Sequence, residues 1–209
     1  MLSARRAAGK SEQLGFVRGR YGRVFRALNQ ALQARGGSVV LDTGVRGLRP
    51  PGAGGRNWSL LNDSEAPSSG VVLCVPAPVA AGWLSACAPE AAAALAAVEY
   101  IGVLCEALLL KRSLMPYYVL NLTDRGLPFT GVIEASNLAG REEFEGHAVV
   151  YLPRYRSAGS PDWGLSDEAV HAGNLAGLGR IFPDLDPADI VCWQVNRAQI
   201  GRASCRERV

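Results

Sequence analysis

The feature that most constrains the fold is a pair of alternating apolar runs, GVIEAS at residues 131–136 and HAVVYL at residues 147–152. A strand points successive side chains to opposite faces, so each run can bury one face and expose the other. The alternation therefore predicts two strands of one sheet. Glu134, His147 and Tyr151 are the polar or aromatic residues that could line a cavity beside that sheet.

Glu134 stands between aliphatic residues, where a carboxylate costs free energy unless it is paired or hydrogen-bonded. It is therefore either a structural anchor or part of a cavity wall, and the sequence favours the anchor. The chain has two histidines, His147 and His171, and each is more readily explained as a packed, hydrogen-bonded side chain. With no nucleophile-elbow motif, no Ser-His-Asp or Cys-His catalytic arrangement is predicted.

Hydrophobic periodicity predicts the other elements. Val24, Leu28 and Leu32 recur at four-residue spacing, which predicts an amphipathic helix over residues 21–34, buried along one stripe. The continuous apolar run at residues 71–75 is typical of a strand covered on both faces. Further strands are predicted over residues 38–43, 100–110 and 189–198, and helices over residues 78–87, 89–99 and from a Ser166 cap to Phe182.

Charge gives little support for a nucleic-acid or membrane partner. The net charge is +3, but residues 200–209 hold three arginines and one glutamate, a net of +2, which leaves 3 − 2 = +1 for the rest. That segment, IGRASCRERV, has no helix or strand period, and we expect it to be a non-native read-through tail. Arginines near the N-terminus lack the aromatic interleaving of a nucleic-acid arm. Prolines interrupt the longest charge-free stretch, so no transmembrane segment is expected.

The five cysteines lie at positions 74, 87, 105, 192 and 205, without the spacing of metal ligands. Three of them fall inside apolar runs, where a free cysteine behaves as a small hydrophobe. No apolar region follows the basic N-terminus, so no secretory signal is predicted. These observations favour a reduced, cytoplasmic protein without a metal site.

Four sets of segments recur in one order: LGFVRGRYGRVFRALNQAL with GGSVVLDTGVRGL, VVLCVPAP, the stretch from Tyr118 to Asn137 followed by VVYLPRY, and RIFPDLDPADI. Each of these motifs is weak when taken singly. Their order and spacing over residues 14–199 together resemble one family, the FAD-dependent amine oxidase and protoporphyrinogen oxidase group of flavoproteins.

The resemblance implies an FAD cofactor. Val45 matches the family's valine after a strand, which would contact the adenine of FAD through its backbone. No GxGxxG turn occurs in the chain, although the family uses that turn to hold the pyrophosphate at a helix N-terminus. We therefore expect an internal fragment, which by itself binds FAD weakly or not at all.

The expected fold is α/β in two parts. Residues 1–76 would supply part of a Rossmann-type FAD-binding domain, and residues 77–199 a substrate-binding domain with a mixed sheet flanked by helices. By resemblance the parent is an FAD-dependent oxidoreductase that oxidises a small organic molecule by hydride transfer to flavin, with Glu134, His147 and Tyr151 as candidate pocket residues. The alternatives are a carotenoid desaturase or sugar mutase of the same fold, or a non-catalytic α/β interaction domain.

Overall fold

The computed structural model describes residues 15–52, 54–62 and 67–203. These residues divide into two compact units. The first unit comprises residues 15–31, 104–155 and 161–197, and the second comprises the described parts of 32–103 with residues 156–160 and 198–203. Residues 1–14 of the predicted cofactor domain and residues 204–209 of the predicted tail lie outside the described part. No helix in the described part is long and apolar enough to cross a membrane.

The first unit is built on a five-stranded sheet. Its strands are β4 (Tyr100–Leu110), β5 (Val119–Asn121), β6 (Gly131–Glu134), β7 (Ala148–Arg156) and β8 (Ile190–Ala203). Their spatial order is β5-β6-β7-β4-β8. The pairs β5–β6 and β6–β7 are antiparallel. The two alternating runs of the sequence are thus neighbouring strands, as predicted. β8 continues through residues 200–203, where the sequence pattern predicted no strand.

Helix α5 (Asp167–Ile181) covers one face of this sheet. Its predicted cap is confirmed, because the Ser166 hydroxyl accepts a hydrogen bond from the Ala169 amide. Much of the core between helix and sheet is apolar. Its fully or nearly fully buried side chains include Leu108, Leu110, Phe129, Val132, Val150, Leu152 and Leu178. One short helix and three 3-10 turns connect these elements. The helix is α4 (Ser136–Ala139), and the turns lie at Arg141–Phe144, Pro161–Gly164 and Pro187–Asp189.

Gly177 lets α5 approach the loop before β6. A Cβ at this position would lie 2.9 Å from Pro128 Cδ, closer than real Cβ contacts, and 3.0 Å from Phe129 Cε1, tighter than most of them. We expect Gly177→Ala to destabilise the unit by about 1–3 kcal/mol through overpacking. Gly173, on the same helix, has open space around its Cβ position, so Gly173→Ala should stabilise by about 0.5–1 kcal/mol. Denaturant unfolding of both variants tests this, and two changes of the same sign would contradict it.

Helix α1 (Arg20–Gln33) forms where the periodicity predicts it, but its expected burial is wrong. None of its residues is buried, and Phe25 and Leu28 are 66% and 62% exposed. The apolar stripe therefore has no covering surface in the described structure. Amphipathic spacing indicates which face a helix can bury and does not supply the surface that buries it.

The second unit contains a three-stranded antiparallel sheet and two helices. The strands are β1 (Leu48–Arg49), β2 (Trp58–Leu60) and β3 (Pro67–Ser68), in that order. Helices α2 (Ala77–Leu84) and α3 (Pro89–Ala96) lie at the two predicted positions and pack on each other. The strands predicted over residues 38–43 and 71–75 are wrong, since neither segment joins a ladder. A strand needs a partner for its backbone groups, which composition alone cannot provide.

Candidate functional site

A cavity of about 520 Å³ lies beside Val45 in the second unit. Its lining is mainly apolar. The lining residues are Val45, Leu60, Val71, Val72, Leu73, Cys74, Val75, Pro76, Val79 and Trp83. The extended segment 71–76 forms much of the wall, and the Tyr100 hydroxyl accepts a 2.9 Å hydrogen bond from the Ala77 amide at the start of α2. Val45 and the segment matched to the returning strand of the flavin domain thus line one cavity, although neither lies in a strand.

Hydrogen bonds of the next two residues, Arg46 and Gly47, fix the backbone beside Val45. The Arg46 amide donates to the Leu61 carbonyl at 2.8 Å, and the Leu61 amide donates to the Gly47 carbonyl at 2.9 Å. No hydrogen bond joins the Val45 N–H or C=O to a described residue. Val45 is one of the residues that line the cavity, and a main-chain donor and acceptor can pair with one edge of a heterocyclic base.

The three candidate pocket residues do not share one face. Glu134 pairs with Val150 and faces the core, whereas Tyr151 pairs with Ile133 on the opposite face. Tyr151 is 38% exposed and Glu134 is fully buried. His147, half-buried just before β7, has its Nδ1 3.3 Å from the Phe144 carbonyl oxygen. Of the three side chains, Tyr151 is the most exposed.

The hydrogen bonds of Glu134 are made within the fold. Its Oε2 accepts from the amides of Leu114 and Met115 at 3.0 and 3.2 Å, and its Oε1 accepts from the Ser136 hydroxyl at 3.4 Å. These contacts hold the loop between β4 and β5 against β6. Its role as a pocket residue remains a prediction.

A second buried carboxylate, Glu106, was missed by the sequence reasoning. It is fully buried on β4. Its Oε1 lies 2.5 Å from Nδ1 of His171. Its Oε2 accepts from Asn174 Nδ2 at 2.7 Å, and Asn174 Oδ1 accepts from Arg154 Nη2 at 2.9 Å. The network joins β4, β7 and α5. The available signal was a lone carboxylate inside the eleven-residue run YIGVLCEALLL.

His171 is packed and hydrogen-bonded, as its place on an apolar helix face predicted. Its ring stacks on Trp193 with centroids 4.4 Å apart and an interplanar angle of 7°. Both rings border an open cleft of about 420 Å³ at the edge of the first unit. The contacts of Glu106, Asn174 and Trp193 account for the packing of this histidine.

The four cysteines of the described part are free thiols. Burial raises the pKa of Cys105 to about 11, with a smaller contribution from the neighbouring Glu106 carboxylate, while a hydrogen bond with the Leu152 backbone acts in the opposite direction. Cys105 therefore stays a neutral thiol at physiological pH. No group of three or more His, Cys, Asp and Glu side chains is placed to hold a metal within the residues that the structure describes.

No protein-family model matches the chain, and no curated protein matches it. Solved structures do. A candidate protoporphyrinogen oxidase from Exiguobacterium sp. 255-15 has a TM-score of 0.61 at 16% identity, over 80% of this chain and 36% of its own. An oxidoreductase from Methanosarcina mazei has a TM-score of 0.66 at 18% identity, over 87% and 43%. Reduced UDP-galactopyranose mutase has a TM-score of 0.65 at 16% identity, over 95% and 45%.

At these identities the likeness shows the fold. The chain spans less than half the length of each of these proteins. Two of these proteins, a protoporphyrinogen oxidase-like protein and an oxidoreductase, are of the kind that the sequence resemblance indicated, so the fold agrees with that resemblance. The chain thus shares the fold of part of each of these three proteins, with helices and antiparallel sheets.

Proposed function

We propose that this chain is part of an FAD-dependent oxidoreductase that oxidises a small organic molecule. The observation that carries the proposal is the apolar cavity in which Val45 meets the segment 71–76. By resemblance, Val45 matches the valine that would contact the adenine of FAD, and VVLCVPAP at residues 71–78 matches the returning strand of the flavin domain. The cavity would hold the adenine end of FAD, with the Val45 backbone paired to one edge of the base and apolar side chains against its faces.

The bound flavin would accept a hydride from the substrate, and the protein would orient the substrate and exclude water. In this proposal Tyr151, which is 38% exposed on the sheet face opposite α5, contacts the substrate. Residues 1–76 would belong to the cofactor domain and residues 77–199 to the substrate domain. A sugar mutase is the second candidate, since the fold of reduced UDP-galactopyranose mutase matches 95% of the chain.

The role of the Val45 backbone can be tested with two substitutions. Val45→Pro removes the N–H, and we expect it to weaken FAD and ADP binding about fivefold to tenfold, the value of one hydrogen bond. Val45→Ala keeps the N–H and should stay within about twofold of the native chain. Because Trp83 lines the cavity, tryptophan fluorescence can report the titration, with isothermal calorimetry as a second measurement.

The native chain should bind FAD weakly, since no GxGxxG turn occurs in it. A tight yellow one-to-one complex would contradict that expectation. Equal affinities of the two Val45 variants would remove the valine backbone from the site. Reading the gene upstream distinguishes the enzyme from an interaction domain, because a flavoenzyme requires a glycine-rich strand-turn-helix there.

A further inference from the structure

The cleft beside His171, here called the histidine cleft, is large enough to hold a small organic molecule. His171 and Leu175 of α5, Pro187 and residues 190–193 of β8 line its volume of about 420 Å³. Binding sites for small molecules are usually cavities of about 300–1,000 Å³ that combine apolar walls with a few placed polar groups. The histidine cleft has that size, and it shares no lining residue with the cavity beside Val45.

One nitrogen of His171 is a free polar group beside this cleft. Nδ1 lies 2.5 Å from Glu106 Oε1, and the ring stacks on Trp193. Nε2 has no hydrogen-bond partner among the residues that the structure describes, and it is not buried. The side chain as a whole is 19% exposed. The contacts of Nδ1 and of the ring face hold the imidazole, so Nε2 is a positioned and accessible group at the wall of the cleft.

The buried Glu106 carboxylate determines which ring nitrogen carries the proton. Its Oε2 accepts a hydrogen bond from Asn174 Nδ2 at 2.7 Å, and its Oε1 faces Nδ1 of His171. A carboxylate that accepts at both oxygens requires a proton on Nδ1, which leaves a lone pair on Nε2 of the neutral imidazole. Such a bond also raises the basicity of the opposite nitrogen. Nε2 is therefore a hydrogen-bond acceptor of fixed position.

The charges around the histidine cleft favour a neutral ligand. No Asp, Glu, Lys or Arg is among the described residues that line it. The cation of the adjoining network, Arg154, is paired with Asp162 at 3.3 Å. A positive charge on His171 would be balanced by the Glu106 carboxylate beside it. A phosphate, carboxylate or ammonium group would therefore lose hydration in the cleft without gaining an unpaired countercharge.

We propose that the histidine cleft is a binding site for a neutral, largely apolar molecule that carries a hydroxyl group, such as a phenol. The hydroxyl would donate a hydrogen bond to Nε2 of His171, and the apolar body would pack against Trp193 and Ile190. Glu106 is the positioning residue, because it acts on the ligand through the imidazole. This ligand site is separate from the proposed cofactor cavity and does not depend on the oxidoreductase assignment.

The first experiment compares 2-naphthol with 2-methoxynaphthalene on the whole chain. The two molecules share one ring system, and 2-naphthol alone can donate a hydrogen bond. We expect 2-naphthol to bind about fivefold to tenfold more tightly, the value of one hydrogen bond. Trp193 lines the cleft, so quenching of tryptophan fluorescence can report the titration, with isothermal calorimetry as a second measurement. Equal affinities, or tighter binding of the ether, would overturn the proposal.

The variant Glu106→Gln tests the positioning role with a side chain of nearly the same shape. Its carboxamide oxygen can still accept from Asn174, while its NH₂ group donates to Nδ1 of His171 and moves the histidine proton to Nε2. The preference for 2-naphthol should then fall to within about twofold or reverse. Glu168→Gln makes the same chemical change at an exposed position of α5 and should keep the preference. An unchanged preference in folded Glu106→Gln would overturn the proposal, and the comparison on the native chain decides without this variant.

Nuclear magnetic resonance of histidine labelled with nitrogen-15 places the ligand, because the chain has two histidines. The Nε2 resonance of His171 should shift when 2-naphthol binds and should shift less with the ether. His147, whose Nδ1 lies 3.3 Å from the Phe144 carbonyl oxygen, should keep its resonances. An unshifted His171 at saturating 2-naphthol, or a shift confined to His147, would show that the proposed site is wrong.

Discussion

Replacing Glu106 by alanine should cost about 3–5 kcal/mol of folding free energy, the usual cost of removing one partner from a buried charged network. The substitution leaves His171 and Asn174 without the carboxylate that joins them. Asn174 is also the hydrogen-bond acceptor of Arg154, so the position of that acceptor becomes less constrained. Since small domains are stable by only about 5–15 kcal/mol, this variant should unfold at a markedly lower denaturant concentration or fail to accumulate.

Two controls make the Glu106 result specific. Glu168→Ala removes an exposed carboxylate from the first turn of α5 and should cost about 0.5 kcal/mol, the value of a charge near a helix N-terminus. The double variant Glu106→Ala with His171→Ala should cost less than the sum of the two single changes, because the residues share one interaction. Equal losses for Glu106→Ala and Glu168→Ala would show that the network does not hold α5 to the sheet.

Glu134→Ala should destabilise the first unit by about 2–4 kcal/mol, because it leaves the amides of Leu114 and Met115 without an acceptor inside the fold. The local signature is amide exchange. Exchange at residues 114 and 115 should quicken about tenfold or more, ahead of the global change in stability. Glu142→Ala removes an exposed carboxylate from the same unit and should change stability by less than about 0.5 kcal/mol. Unchanged exchange at these amides would favour the cavity-wall interpretation of Glu134.

Local patterns in the sequence predicted the elements whose partners lie within the same unit. The run at residues 100–110 is a strand, Ser166 caps α5, and the two alternating runs pair with each other. In these cases periodicity, capping and packing agree, so the local signal is sufficient.

The sequence predicted less where a partner or a register decides the outcome. Residues 38–43 and 71–75 have strand composition but no ladder, and the stripe of α1 has no covering surface. The expected grouping of Glu134 with Tyr151 depended on the register of β6 against β7, which alternation within each strand does not determine. Glu106 was missed because an acid inside an apolar run becomes informative only when its partners, 65 and 68 residues away, are known.

The position of β4 has a consequence for biosynthesis. This strand precedes β7 and β8 in the chain, yet it lies between them in the sheet. A ribosome must therefore translate the whole of β8 before β4 gains its second neighbour, and until then an eleven-residue apolar strand offers unpaired backbone groups to other nascent chains. Premature termination before Ile190 should accordingly yield a polypeptide that depends on chaperones to stay in solution.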